Sequence, residues 1–280
     1  MIRTPRSKVA LNVAGLLVLV AAVFPVAWMV STAFKPNTEI FSTVPKPLPS
    51  APTLQHFDFV VNGGVANVSF WTYMGNSVLL ALVTVLVSGA LALLAATAVA
   101  RFRFKFRTTF LVMLLVVQMV PAEALVIPLF FDVKRLELLD SLLGLVIVYV
   151  GFALPFSIWM LRGFVAAVPK ELEEAAAIDG AGPIRTFFSV LLPLVAPGLV
   201  ATSIFSFITA WNEFIFAFTF LDDETKYTLP IMLQYFFGRS GNEWGPIMAA
   251  STLLTVPVII FFILVQRRMV TGLTAGAVKG

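Results

Sequence analysis

Carboxylates are the groups in this sequence best able to do chemistry, and they are scarce: Asp and Glu number 15 among 280 residues. Glu171, Glu173, Glu174 and Asp179 crowd into one short stretch, PKELEEAAAIDGAGPIRTFFSVLLPLVAPG, residues 169–198. Glu123 in VPAEALVIP and Glu213 in AWNEFIFAF interrupt strongly apolar runs. Clustered carboxylates can serve acid–base catalysis or hold a metal, but the usual companions are missing. Cysteine is absent and His56 is the single histidine, which excludes thiol nucleophiles, disulfides and Cys or His metal clusters. The sequence carries no G-x-x-x-x-G-K-[ST] phosphate loop, no H-E-x-x-H and no G-x-S-x-G. Catalysis by this chain alone is not expected, and neither is ATP binding through a phosphate loop.

A second group of polar residues lies within or beside apolar runs: Asn76, Ser77, Gln118, Tyr149 and Asn212. Amides, hydroxyls and aromatic faces suit a hydroxyl-rich solute such as a sugar. The same types equally suit interhelical hydrogen bonds, worth about 0.6 kcal/mol each in one measured membrane protein. A charge in mid-membrane costs about 2.5–3.5 kcal/mol on insertion scales, so it usually faces a cavity or a partner. Glu213 fits a hydrogen bond to a neighbouring helix, an interfacial position or a solute contact. Glu123 sits between Pro121 and Pro128, which free backbone groups that a buried carboxylate can satisfy. It fits a structural role or the lining of a path.

These residues must be positioned by membrane helices. The chain is 59% hydrophobic and 12% charged, with mean hydropathy +0.96, whereas soluble domains carry about 25% charged residues. About 20 apolar residues cross a bilayer, and six runs qualify: Val9–Phe34, Met74–Ala100, Phe110–Phe131, Leu142–Leu161, Gly198–Phe220 and Pro246–Val265. The first is too long for a signal-peptide core and reads as a retained helix. With the N-terminus in the cytoplasm, 13 of the 19 Lys and Arg fall on the inner side and 6 on the outer. The positive-inside rule then places both termini in the cytoplasm. The net charge of +4 follows from that topology and gives no indication of nucleic acid. The outer segment 35–73 contains VPKPLPSAPT, whose prolines forbid a regular helix. Trp71 and Tyr73 fall where an interfacial aromatic belt is expected.

The acid-rich stretch then lies inside, between the fourth and fifth spans. Pro169 is suited to the first helical position, and acids in a first turn meet the positive end of the helix dipole. Gly180 can end that helix in a left-handed conformation, and Pro183 can start the next. Leu172, Ala175, Ala176 and Asp179 share one face, small at its centre, suited to docking in a protein cleft. A lipid-anchoring helix would carry Leu, Phe and Lys there instead.

Glu174-Ala175-Ala176, Gly180 and Val190-Leu191-Leu192-Pro193 resemble the EAA loop of ABC importer permeases, with Val190 in place of the usual Ile. AWNEFIFAF (210–218), YMGNSVLLAL (73–82) and the terminal RRMVTGLTAGAVKG (267–280) are similar to the carbohydrate-uptake branch, in particular to maltose-type second permeases. The resemblance implies an all-α membrane protein of six transmembrane helices with the type I importer permease fold, a single permease domain spanning 1–280. It implies that loop 169–193 couples to ATP-binding subunits through Glu174, Ala175, Ala176 and Gly180. The glycine-bearing tail, with Gly276 and Lys279, would reach between those subunits. A homologous second permease, two copies of an ATPase holding ATP and Mg, and an extracytoplasmic binding protein or lipoprotein would complete the importer. The chain itself would bind no cofactor, metal or nucleic acid. The setting implied is a bacterial or archaeal cytoplasmic (inner) membrane. Within the same branch, glycerol phosphate or a related phosphodiester is an alternative to sugar. An ion-driven secondary transporter and a non-transporting scaffold are alternatives of another class.

Overall fold

Pattern and length produce a mostly helical chain. The computed structural model describes residues 5–63, 65–238 and 241–277, with 5–8, 10 and 267–277 as backbone alone. In order, the helices are α1 (Pro5–Ala33), α2 (Asn37–Ile40), α3 (Gln55–Asn62), α4 (Phe70–Arg101), α5 (Arg107–Gln118), α6 (Val126–Arg135) and α7 (Leu142–Ala167). They continue with α8 (Glu171–Ile178), α9 (Pro183–Thr186), α10 (Leu192–Trp211), α11 (Ile215–Phe220), α12 (Leu229–Gln234) and α13 (Trp244–Ala277). A two-residue hairpin, β1 (Phe237–Gly238) and β2 (Gly241–Asn242), pairs antiparallel.

Five segments are long and apolar enough to cross a membrane: Leu11–Ala33, Phe70–Arg101, Leu142–Ala167, Pro183–Trp211 and Trp244–Gln266. The run expected to form one span over Phe110–Phe131 is instead broken. Helix α5 stops at Gln118, and the chain turns by 95° into a 3-10 turn (Ala122–Leu125) and α6. Pro121 is the cause: it lacks the N–H that would continue the ladder and disfavours helical backbone at Val120. Pro128 falls in the first turn of α6, where its missing donor does no harm. The span expected over Gly198–Phe220 also divides. Helix α10 ends at Trp211, and α11 starts separately at Ile215.

The described residues fall into two compact units, one within Met1–Trp71 and Met232–Pro257, the other within Thr72–Ile231 and Val258–Gly280. The first contains α1, whose described side chains up to Ala27 are all exposed, as a lipid-facing helix requires. Past α1 the chain is tied down locally. Thr53 N–H bonds the Phe34 carbonyl at 2.9 Å. His56, 3% exposed, donates from Nε2 to the Lys35 carbonyl at 2.9 Å. Gly245 leaves room for that imidazole, since a Cβ there would lie 2.2 Å from His56 Cε1. Trp71 is exposed, as an interfacial residue should be, but Tyr73 is fully buried and belongs to the core instead of an aromatic belt.

In the second unit the core is built from helix faces at 3–4-residue spacing. Ala92, Leu93, Ala96 and Val99 of α4 meet Leu111 and Leu114 of α5, Ile158, Leu161 and Val165 of α7, and Val195 of α10. Small residues allow close approach, as is usual between membrane helices. Gly198 is the tightest point, lying against the ring of Phe164. Ser141 caps α7 by accepting from Leu143 N–H at 3.2 Å.

Candidate functional site

The acid-rich loop folds as the local chemistry dictates. Helix α8 begins at Glu171, with Lys170 as its cap. Pro169 therefore precedes the helix instead of opening it, a shift of two residues. Glu171, Glu173 and Glu174 occupy the first turn, where the helix dipole favours negative charge. Gly180 takes φ +82°. Its N–H bonds the Ala177 carbonyl at 3.0 Å, and Ala181 N–H bonds the Ala176 carbonyl at 2.9 Å. This paired closure is a Schellman motif, which satisfies the last carbonyls of the helix. Pro183 opens α9, and a π-helical turn at Phe187–Leu191 leads into α10.

One of the acids has a partner that sequence reasoning missed. Arg101, the last residue of α4, donates from Nε to Glu173 Oε1 at 2.6 Å and from a terminal nitrogen to the Val168 carbonyl at 2.9 Å. The Arg101 side chain is 9% exposed and that of Glu173 25%. Sequence reasoning counted Arg101 only as a topology signal and Glu173 only as one acid among four. The available hint was a base placed at the very end of a span. A groove of about 410 Å³ runs beside the pair, walled by Ala177, Ala181, Phe187 and Leu191.

The rest of the loop points outward. Glu174, Ala175 and Gly180 are exposed and Ala176 is half-buried. Ile178, Ile184 and Phe188 are 86%, 76% and 59% exposed, and they bracket the Gly180 turn. These apolar side chains are a second omission of the sequence reading, which looked only at the alanine face. The loop thus combines an inward ionic brace with an outward surface of small, acidic and apolar residues.

The polar residues considered for path lining separate into two groups. Asn76 donates its amide to the carbonyls of Thr225 and Tyr227, both at 2.9 Å. Ser77, 3% exposed, accepts from Leu229 N–H at 2.8 Å. Tyr149 donates to Glu213 at 2.5 Å. Glu213 also accepts from Phe216 N–H at 2.8 Å and Ala217 N–H at 3.1 Å. It thereby caps α11 at the break after α10. These four residues hold protein to protein. Gln118, Glu123 and Asn212 are exposed, with Asn212 bonded back to Ile208 of its own helix at 2.9 Å. Of the tail residues, Lys279 lies outside the described residues, and only the helical backbone is described at Gly276.

A further clamp ties the turn before α7 to the segment after α11. Asp140 accepts from the N–H groups of Asp222 and Asp223, at 3.1 and 2.9 Å, and from Lys226 Nζ at 2.6 Å. The Lys226 bond holds the Asp140 carboxyl below the usual carboxylate range, and reciprocally raises Lys226. Among the described residues no group of three or more His, Asp or Glu is placed to hold a metal.

Residues 88–274 match the family described as the binding-protein-dependent transport system inner membrane component. The chain belongs to this permease family. The permease is 44% identical to the diacetylchitobiose uptake system permease protein DasC of Streptomyces coelicolor, over 96% of each chain. It is 35% identical to the trehalose/maltose transport system permease protein MalG of Thermococcus litoralis, over 98% of this chain and 97% of that one. With the trehalose transport system permease protein SugB of Mycobacterium tuberculosis it shares 36% identity, over 94% and 95%. The fold matches a chain from a bacterial ABC transporter involved in import of the acidic polysaccharide alginate. That match has a TM-score of 0.79 at 21% identity, over 95% of this permease and 99% of that chain. The architecture is therefore that of a type I ABC importer permease.

Proposed function

We propose that this permease is one of two homologous membrane subunits of an ATP-driven carbohydrate importer, with both termini in the cytoplasm. The observation that carries the proposal is near full-length similarity to the diacetylchitobiose, trehalose/maltose and trehalose permeases. It favours this reading over an ion-driven carrier or a non-transporting scaffold. ATP and Mg bind the separate ATPase subunits, and a binding protein or lipoprotein delivers the sugar from outside.

The loop 169–193 is the coupling element in this reading. Glu174, Ala175, Ala176 and Gly180 form the contact core, and Ile178, Ile184 and Phe188 supply apolar area to bury in the ATPase cleft. Arg101 holds α8 to the end of α4. Closure of the ATPases then moves a membrane helix and does not simply bend a loop. Rigid rocking of the two permeases switches the path between inward- and outward-facing states. Gln118, Glu123 and Asn212 are the exposed candidates for path lining, and Gly276 and Lys279 for tail contact with the ATPases.

The sequence lacks cysteine, so one introduced thiol is unique. In the assembled complex, Ala175→Cys should cross-link to a cysteine placed in the ATPase cleft, and the yield should change with ATP. A Cys at Thr225 should not cross-link. Equal yields from both positions, or none from Ala175→Cys, would remove the loop from the ATPase interface.

A further inference from the structure

The first unit holds a buried charge that no ion pair neutralises among the described residues. Lys35 is 3% exposed, and among the described residues no carboxylate pairs with its ammonium. Its ammonium lies over the face of Trp28, 4.3 Å from Nζ to the ring centroid, and Glu39 attracts it through space without forming an ion pair. A cation–π contact uses the charge but not the three N–H donors. One turn earlier, Thr32 is 6% exposed and its Oγ1 is buried with no hydrogen-bond partner. Buried charges and hydroxyls are normally satisfied, because leaving them bare is costly. Two such groups three residues apart, one in the last turn of α1 and one just past its end, call for an outside acceptor.

Both groups line a cavity of about 360 Å³ whose wall also includes Trp244 and Met248 of α13 and residues of the segment 39–46. The other charges on the wall are already used. Glu39 accepts from Ser50 N–H at 3.0 and 3.1 Å. Lys46 donates to Ser50 Oγ at 2.8 Å and stands 3.9 Å from Glu39. Glu39 is shared between Lys46 and, through space, Lys35, so the two lysines and one carboxylate on the wall leave one net positive charge. The site is also built firmly, since buried His56 pins the Lys35 carbonyl. Along α1, the described side chains up to Ala27 are exposed and, Asn12 apart, apolar, and Val256 of α13 is exposed too. A ligand with one negative charge, several acceptor oxygens and long apolar tails meets every requirement.

We propose that Lys35, Thr32, Trp28 and Trp244 form a binding site for the phosphodiester headgroup of a membrane phospholipid. Lys35 and the Thr32 hydroxyl donate to the phosphate oxygens, the indoles flank the glycerol backbone, and the acyl chains run along α1. Basic pockets between membrane helices bind lipid headgroups by the same chemistry on the cytoplasmic side; here the pocket lies at the outer end of α1.

The test uses the whole importer, purified in detergent and washed extensively, with bound phospholipid counted by phosphorus assay and identified by mass spectrometry. The parent complex should retain phospholipid that Lys35→Met loses, with affinity for added phosphatidylglycerol falling roughly ten-fold or more, since a charge-assisted hydrogen bond carries over a decade of binding constant. Lys35→Arg should retain the lipid, which separates loss of charge from misfolding, and Lys134→Met, an exposed lysine away from the cavity, should retain it as well. Equal retention by the parent and Lys35→Met would overturn the proposal. So would displacement of the lipid by millimolar glycerophosphoglycerol, which would make a soluble phosphodiester the ligand. A carbodiimide cross-link from Lys35 to a carboxylate of the second permease would also overturn it, by assigning the charge to an interface.

Discussion

Replacing Arg101 by Met should detach the short helix on which coupling depends. The substitution keeps the stem but removes both hydrogen bonds, to Glu173 at 2.6 Å and to the Val168 carbonyl at 2.9 Å. Breaking a fully buried ion pair costs about 3–5 kcal/mol. Glu173 keeps 25% of its side-chain surface in solvent, so about 2 kcal/mol is the appropriate share. The lost bond to Val168 adds about 1 kcal/mol. A total of about 3 kcal/mol corresponds to roughly a hundred-fold change in the equilibrium holding α8 in place. Helix α8 has only 8 residues, far below the roughly 12–15 at which an isolated helix becomes even marginal. Once released it should therefore unfold as well. Hydrogen exchange across 171–178 in the assembled complex should accelerate on the order of a hundred-fold, with uptake falling in parallel. Glu173→Gln alone should also be harmful, because it strands the 9%-exposed Arg101 charge. The double substitution should recover part of the loss, as both charges are gone. Exchange unchanged in Arg101→Met, with effects additive within about 0.5 kcal/mol in the cycle, would refute the brace.

Substitutions at three further positions probe other parts of the account. At Gly180, where φ is +82° and a Cβ would meet nothing within 4 Å, Ala should weaken the loop by only about 1 kcal/mol of backbone strain. Pro removes the N–H bonded to Ala177 and cannot adopt positive φ, so Gly180→Pro should abolish transport in an uptake assay that Gly180→Ala largely passes. Gly198→Ala would put a Cβ 2.4 Å from Phe164 Cγ and should destabilise the α7–α10 packing by about 1–3 kcal/mol, read as a lower Tm in detergent. For Asp140, the folded pKa is depressed, so its contribution is present above the unfolded value near 3.9 and lost as pH falls through the lower folded value. Lys226 is raised, so its contribution holds below about 10.4 and is lost as pH rises through the higher folded value. Protection of the Asp222 and Asp223 amides should therefore be flat between about pH 5 and 10 and fall in acid. Asp140→Asn should abolish that acid-dependent loss.

What the sequence revealed here depended on range. Gly180 and Pro183 act through their own backbone restrictions, so their turn and helix start could be expected from residue type alone. Hydropathy marks apolar runs, because lipid imposes a similar length on each. It could not show that Pro121 would break one of them, since a proline in a membrane helix can equally be tolerated when neighbours satisfy the freed groups. The pairing of Arg101 with Glu173, 72 residues apart, and of Tyr149 with Glu213, 64 apart, depends on helix packing that no local pattern encodes. For the same reason, Asn76 and Ser77 looked as suited to a solute as Gln118 and Asn212. Only their folded neighbours separate those that fasten the protein from those that remain exposed. Tyr73 was misplaced likewise: an aromatic at a helix start suits a lipid interface or a core equally, and the packed neighbours decide it.

The central claim is that ATP, not an ion gradient, drives solute through this permease. It is tested most directly in proteoliposomes that contain the full complex and binding protein, with ATP inside or outside and ion gradients clamped. Labelled diacetylchitobiose, trehalose and maltose serve as substrates. The account predicts uptake of at least one sugar only when ATP is on the side that carries the Gly180 loop. Uptake that persists without ATP and follows the ion gradient would contradict it, as would absence of flux for any carbohydrate.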